Sequence, residues 1–220
     1  MTSDLVMVDL DGTLLDRDAA FRRSVERFVH VHRLGEPAAQ WIMNLDDDGY
    51  TPRAQIADAL TAEFPMLRPT DCWALLDEGG SEDIEISESV VAALNCIRAA
   101  GRHVVIVSNG PTAMQERKIH RTGLNAIVDG WVISQSEGIS KPNPEIFRRA
   151  AAKVGAEVPG AWMIGDNAES DIRGAQLIGC RTSWISRGRE WPHTDFQPTR
   201  VDDDVSDALL ATDSRRRIIQ

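Results

Sequence analysis

Short apolar runs recur along the chain, and four of them end on polar residues of a particular kind. Leu5-Val-Met-Val8 runs into Asp9, Val104-Val-Ile-Val107 into Ser108 and Asn109, and Trp162-Met-Ile164 through Gly165 into Asp166. Trp131-Val-Ile133 is followed by Ser134, whereas a run from Arg181 to Ile185 lacks such an ending. Runs this short, β-rich and apolar at consecutive positions suit strands buried on both faces. Helical periodicity fills the gaps. Ser87 to Ala100 sets Val90, Val91, Leu94 and Ile97 on one face ahead of Gly101. Glu145 to Val154 repeats the design before Gly155, and Asp171 to Ile178 forms a third helix closed by Gly179. Strand alternating with helix predicts an α/β fold built on a parallel sheet with right-handed crossovers.

The segment from Asp16 to Asp83 breaks that alternation. It offers helical stretches (Ala20–Val31, Arg53–Phe64, Thr70–Leu76) and no convincing strand, with Asp46-Asp-Asp-Gly49 and Gly79-Gly80-Ser81 as loops. The expected organisation is therefore a core domain of residues 1–15 and 84–220 interrupted by a helical domain of residues 16–83. A chain of 220 residues is long enough for one substantial core plus such an insertion.

Composition narrows the function. The 24 basic against 34 acidic residues give a net charge of −10, which argues against bulk binding to nucleic acid or an anionic membrane. A small anionic ligand needs only a local cluster of cations and N–H groups, so it stays open. Cys72, Cys96 and Cys180 form no CxxC pair and suggest neither a disulfide framework nor a zinc site. They suit buried positions in a reducing compartment. The segment Met1-Thr-Ser-Asp4 lacks the basic and apolar stretches of a secretory signal, and no run approaches the roughly 18 apolar residues of a membrane span. A cytoplasmic, soluble enzyme or regulator is expected, and nothing demands more than a monomer, a homodimer being the alternative.

In open parallel sheets, ligands bind beyond the carboxyl ends of the strands. Asp9, Ser108 and Asp166 all fall there, with Asp11 and Asp171 close behind, so up to four carboxylates are expected in one small volume. Two like charges about 4 Å apart repel by roughly 4 kcal/mol at an effective dielectric near 20. Such crowding calls for a cation or for raised pKa values. A hard cation that takes few carboxylates and also holds phosphate is Mg²⁺.

Asp9-Leu-Asp-Gly-Thr13, Ser108-Asn109, Lys141-Pro142 and Gly165-Asp-Asn-Ala-Glu-Ser-Asp171 together resemble the four signature motifs of the haloacid dehalogenase-like (HAD) hydrolase superfamily, in its order and at sensible separations. The resemblance spans about residues 4 to 186 and implies a Rossmann-like core with strand order 5-4-1-2-3 and a helical cap inserted after the first strand. It further implies a role for each matching residue. Asp9 would be the nucleophile that forms an aspartyl-phosphate, and Asp11 the general acid and base. Ser108 would bind a phosphoryl oxygen with Asn109 as a further donor, and Lys141 would offset charge on the nucleophile and the transferring group. Asp166 would ligate Mg²⁺ together with the Asp9 carboxylate and the Asp11 backbone carbonyl, with Asp171 and Asn167 in supporting positions.

Blander readings stand beside these. An Asp ending a strand is often a turn former, Asp171 by itself could cap the helix to Ile178, and Lys141 could be a solvated surface lysine. Asp46–Asp48 and Asp202–Asp204 read as solvated loops, the Arg22/Arg23/Arg27 helix as a solvated face, and Arg215-Arg-Arg217 as a frayed basic tail. Arg17, where many relatives carry Ser or Thr, could alter cap hinging or substrate contact. The five histidines show no ligand spacing.

The expected activity is Mg²⁺-dependent hydrolysis of a small phosphate monoester. A phosphomutase is the nearest alternative. Haloacid dehalogenation needs no acid at the position Asp11 occupies and is disfavoured. A non-enzymatic phospho-aspartate switch leaves the inserted domain without a role.

Overall fold

The computed structural model describes residues 3–212; the basic cluster Arg215–Arg217 and the first two residues lie outside that range. Two compact units emerge. One is formed by the chain up to Leu15 and from Ile86 onward, the other by Asp16–Glu85.

The first unit is built on a parallel sheet. Its strands are β1 (Leu5–Val8), β2 (His103–Ser108), β3 (Gly130–Ile133), β4 (Trp162–Gly165), β5 (Arg181–Ile185) and β6 (Arg200–Asp202). They lie in the order 3-2-1-4-5-6, all neighbours parallel. The expected order 5-4-1-2-3 is thus present, with β6 appended beyond β5. That last strand is only three residues long and carries charged Arg200 and Asp202, so it shows no apolar run to announce it.

The inserted unit holds α1 (Arg17–His32), α2 (Pro37–Asp46), α3 (Arg53–Glu63) and α4 (Pro69–Glu78). The core unit adds α5 (Glu88–Ala99), α6 (Thr112–Arg121), the single turn α7 (Ser134–Glu137), α8 (Pro144–Lys153), α9 (Gly174–Gln176) and α10 (Val205–Ala211). Caps fix the ends of the predicted helices. Ser87 accepts from the Val90 N–H to start α5, and Asn143 accepts from Glu145 to start α8 just before Pro144.

Both faces of the sheet are covered. Leu5 and Met7 of β1 cluster with Val105, Val107, Val132 and Met163 beneath Ile146, Phe147 and Ala150 of α8. Alternate positions Val6, Val8, Val104, Ile106 and Ile164 are equally buried, and α5 and α10 pack against the sheet and against one another. The apolar-throughout strands of the sequence follow from this double covering.

The inserted unit has a core of its own, made by Phe21, Val25 and Phe28 of α1, Ile42 of α2, Ile56 and Leu60 of α3, and Leu75 and Leu76 of α4. Here one expectation fails. Asp46 is not solvated: it is buried and accepts from both terminal nitrogens of Arg17. Arg17 is consequently engaged inside the inserted unit, stacking also on Phe21. The arginine-rich face of α1 is exposed, with Arg27 also paired to Glu78 and Asp83 and Arg23 donating to the Asp83 carbonyl.

The region after β4 differs from expectation as well. Instead of an α-helix from Asp171, residues Ala168–Arg173 form a wide π-helical turn that leads into α9. Its N-cap is Asn167, which accepts from the Ser170 N–H, so Asp171 is released from capping and points inward, fully buried. A wide turn of this kind is frequent where a side chain must be aimed at a site.

Candidate active site

The predicted side chains converge beyond the carboxyl ends of β1, β2 and β4. Asp9 follows β1, Ser108 ends β2, Asp166 follows β4, and Asp171 comes from the π-turn. Lys141 enters from the loop between α7 and α8 and is the hub of the cluster. Its ammonium lies 2.5 Å from Asp9 Oδ1 and 2.7 Å from Asp171 Oδ1. The lysine side chain is 2% exposed and that of Asp171 0%, which removes the surface reading of Lys141.

The Lys141 loop is fastened by Asn109. Its side chain donates to the Lys141 carbonyl at 3.0 Å and accepts the Lys141 N–H at 2.9 Å. Asn109, expected as a further donor to phosphate, thus also fastens the lysine backbone through both ends of its amide. Asn167 acts in a similar supporting way, its N–H donating to Asp171 Oδ2 at 3.1 Å.

Oxygens of Asp9, Asp166 and Asp171 lie within 4.8 Å of one another. Burial pushes the Asp9 carboxyl well above its usual range; Lys141 opposes this, while Asp171 and Asp166 add to it. Asp166 shifts the same way, through burial and then Asp171, against Arg189 and Arg187. Burial alone would depress Lys141, but Asp171 and Asp9 hold it above the ordinary lysine value. Three ionised carboxylates against the Lys141 ammonium and the Arg189 guanidinium, 3.5 Å from Asp166 Oδ2, still leave a net negative charge. Asp171 Oδ1, though in ion-pair range of Lys141, receives no well-aligned hydrogen bond. All donors are hard oxygens, so the residues present fit a hard divalent cation.

Two glycines make the crowding feasible. A Cβ on Gly165 would lie 2.3–2.5 Å from Asp171 side-chain atoms, and one on Gly12 (φ +77°) 2.7–2.8 Å from the Asp166 carboxylate. Neither position tolerates a side chain without moving a carboxylate.

Asp11 departs from the expected group of four. Its carboxylate faces Lys118, whose Nζ is 2.7 Å from both oxygens, and accepts from Gln115 Nε2 at 2.8 Å. The same amide nitrogen donates to Ser108 Oγ at 2.7 Å. Sequence reasoning passed over both residues. The signal available was the i, i+3 spacing that puts Gln115 and Lys118 on one side of α6 between Met114 and Ile119. Also missed were Thr13, which donates to Asp166 Oδ1 at 3.2 Å, and Trp184 and Arg189, which donate to the Asp166 carbonyl at 2.8 and 3.0 Å.

Residues 4–179 match the haloacid dehalogenase-like hydrolase family. The chain belongs to that family. It is 37% identical over 118 residues to a glyceraldehyde 3-phosphate phosphatase of Methanopyrus kandleri, a match covering 54% of this chain and 49% of that protein. The chain thus spans about half the length of that relative. Similarity to a phosphoglycolate phosphatase of Aliivibrio fischeri is lower, at 26% identity, but covers 97% of both chains. Among solved structures, the HAD-hydrolase YfnB of Bacillus subtilis bound to magnesium superposes with a TM-score of 0.74 at 18% identity, covering 96% of this chain and 99% of that one. That likeness shows a shared HAD fold.

Proposed function

We propose that this HAD-like hydrolase is a Mg²⁺-dependent phosphatase that passes the phosphoryl group of a small phosphate monoester through Asp9 to water. The observation that carries the reading is the division of labour between two aspartates two residues apart. Asp9 is bound to Lys141 beside Asp166 and Asp171, whereas Asp11 is held apart by Lys118 and Gln115. One carboxylate thus sits in the charged cluster and the other is available for proton transfer.

The chemistry follows from those positions. An Asp9 oxygen attacks phosphorus, the bond from phosphorus to the leaving oxygen breaks, and Asp11 delivers a proton to that oxygen. Water then attacks the aspartyl-phosphate, Asp11 takes its proton, and the bond from phosphorus to Asp9 breaks to release inorganic phosphate. Lys141 and the Ser108 hydroxyl face the negative oxygens of the transferring group. Asp9, Asp166 and the Asp11 carbonyl would hold Mg²⁺, which when bound supplies neutralisation of phosphoryl charge. Asp171 holds Lys141 in place. The relatives' names, phosphatases of small phosphorylated metabolites, support the substrate class. The inserted unit is read as the cap that selects among them, and the three free cysteines suit a cytoplasmic setting.

The test is phosphate release from a panel of phosphomonoesters with Mg²⁺ or with chelator, using Asp9→Asn as the blank. Release should require Mg²⁺ and be absent from the blank, and Asp11→Asn should lose about 10²-fold or more in turnover. Undiminished release after chelation, or an active Asp9→Asn protein, would refute the mechanism.

A further inference from the structure

We infer that Lys118 and Gln115 are positioning residues that clamp the Asp11 carboxylate and tie its orientation to the phosphate-binding hydroxyl of Ser108. The inference rests on the reading of Asp11 as the proton carrier.

Lys118 and Gln115 are each only 1% exposed. Lysine is almost never this buried unless paired, and here the charge that meets it is the Asp11 carboxylate, with Nζ 2.7 Å from each oxygen. Gln115 adds a third contact on Oδ2 at 2.8 Å. A short side chain gripped at both oxygens keeps neither of its torsions free. The clamp also explains why Asp11 stays out of the cluster made by Asp9, Asp166 and Asp171.

Gln115 extends the clamp. Its Nε2 carries two hydrogens and has Asp11 Oδ2, Ser108 Oγ at 2.7 Å and the Asn109 carbonyl at 3.3 Å within reach. Its Oε1 is buried without a hydrogen-bond partner. The reverse orientation of the amide would turn Oε1 toward the Asp11 carboxylate, so the orphaned oxygen accompanies the orientation that serves Asp11. One amide nitrogen therefore connects the proton carrier to the hydroxyl that meets the phosphoryl group.

The role predicts a dependence on the leaving group. p-Nitrophenolate departs without a proton, whereas the alkoxide of β-glycerophosphate needs one. The experiment uses the full chain with saturating Mg²⁺ and compares wild type, Lys118→Met, Lys118→Arg, Gln115→Met and Asp11→Asn on both esters. Pre-steady-state release of p-nitrophenolate is recorded alongside steady-state turnover.

Lys118→Met should release its first equivalent of p-nitrophenolate within about threefold of wild type, yet lose about 10²-fold on β-glycerophosphate. A burst equal to the enzyme concentration should appear, because the phosphoenzyme waits for deprotonation of water. Lys118→Arg should restore part of the loss, and Gln115→Met should show the same discrimination at about tenfold. A soluble Gln115→Met protein with no discrimination would overturn the inference. So would equal losses in first-turnover release from both esters in Lys118→Met, which mark a merely structural lysine. Discrimination in Asp11→Asn without any in the Lys118 and Gln115 variants would overturn the clamp alone. Unimpaired hydrolysis of both esters by Asp11→Asn would overturn the proton-carrier reading and the clamp with it.

Discussion

Replacing Lys141 by methionine removes the positive charge from the centre of the buried cluster while keeping most of the side-chain volume. At an effective dielectric near 20, contacts of 2.5 and 2.7 Å to Asp9 and Asp171 are each worth about 6 kcal/mol of gross attraction. Returning the ammonium to water recovers several kcal/mol of desolvation, and the carboxylates left behind, within 4.8 Å of one another, repel by about 3 kcal/mol per pair. The net loss expected for breaking a buried pair of this kind is about 3–5 kcal/mol.

That loss should depend on pH with a definite sign. Burial, then Asp171 and Asp166, already raise Asp9 in the folded protein, and Lys141 is the influence that opposes them. Without Lys141 the folded value rises further. A carboxyl whose folded pKa exceeds its unfolded one binds extra protons when folded. Its contribution is complete below about pH 4 and is lost as pH climbs through the folded value. The variant's deficit should therefore be small near pH 5 and approach about 3–5 kcal/mol near pH 8. Urea unfolding of both proteins in excess chelator, followed by tryptophan fluorescence at the two pH values, measures it. A deficit below about 1 kcal/mol at pH 8, or one that is the same at both pH values, would refute the reasoning. With Mg²⁺ present, turnover should fall by about 10²–10³.

Two further outcomes are expected. Because burial and carboxylate crowding raise both Asp9 and Asp166, Mg²⁺ should raise the unfolding midpoint of the metal-free protein more at pH 8 than at pH 5, where protons compete for the same oxygens; equal shifts would contradict this. Gly165→Ala should cost about 3–5 kcal/mol by driving Asp171 from Lys141, whereas Gly101→Ala, at φ +73° with nothing within 4 Å, should cost only about 1–2 kcal/mol of backbone strain; similar deficits in urea unfolding would show that the Asp171 approach is not limiting.

The apolar runs and the residues that end them were legible in one dimension. A strand buried on both faces must be apolar throughout, and a parallel sheet must gather its strand ends, so Asp9, Ser108 and Asp166 could be assigned to one crevice before any coordinates. The helices α5 and α8 were readable for the same reason, since Ser87, Asn143 and the 3.6-residue period are local signals. The π-turn was not, because Asp171 aimed inward and Asp171 capping a helix leave the same letters in the chain. Nor was α2, whose short pattern begins at Pro37 without a side-chain cap.

Polar residues show the limit most clearly. Gln115, Lys118 and Asp46 look in sequence like solvated side chains, and Asn109 like a donor to phosphate alone. Only the tertiary structure sets Asn109 on the Lys141 backbone, Asp46 on Arg17, and Lys118 with Gln115 on Asp11. Hydrophobic periodicity determines which face of an element is buried. The partner that makes a buried charge affordable comes from a distant segment, over a hundred positions away in the case of Lys118 and Asp11, and a choice made by packing between distant segments leaves no local trace in the chain.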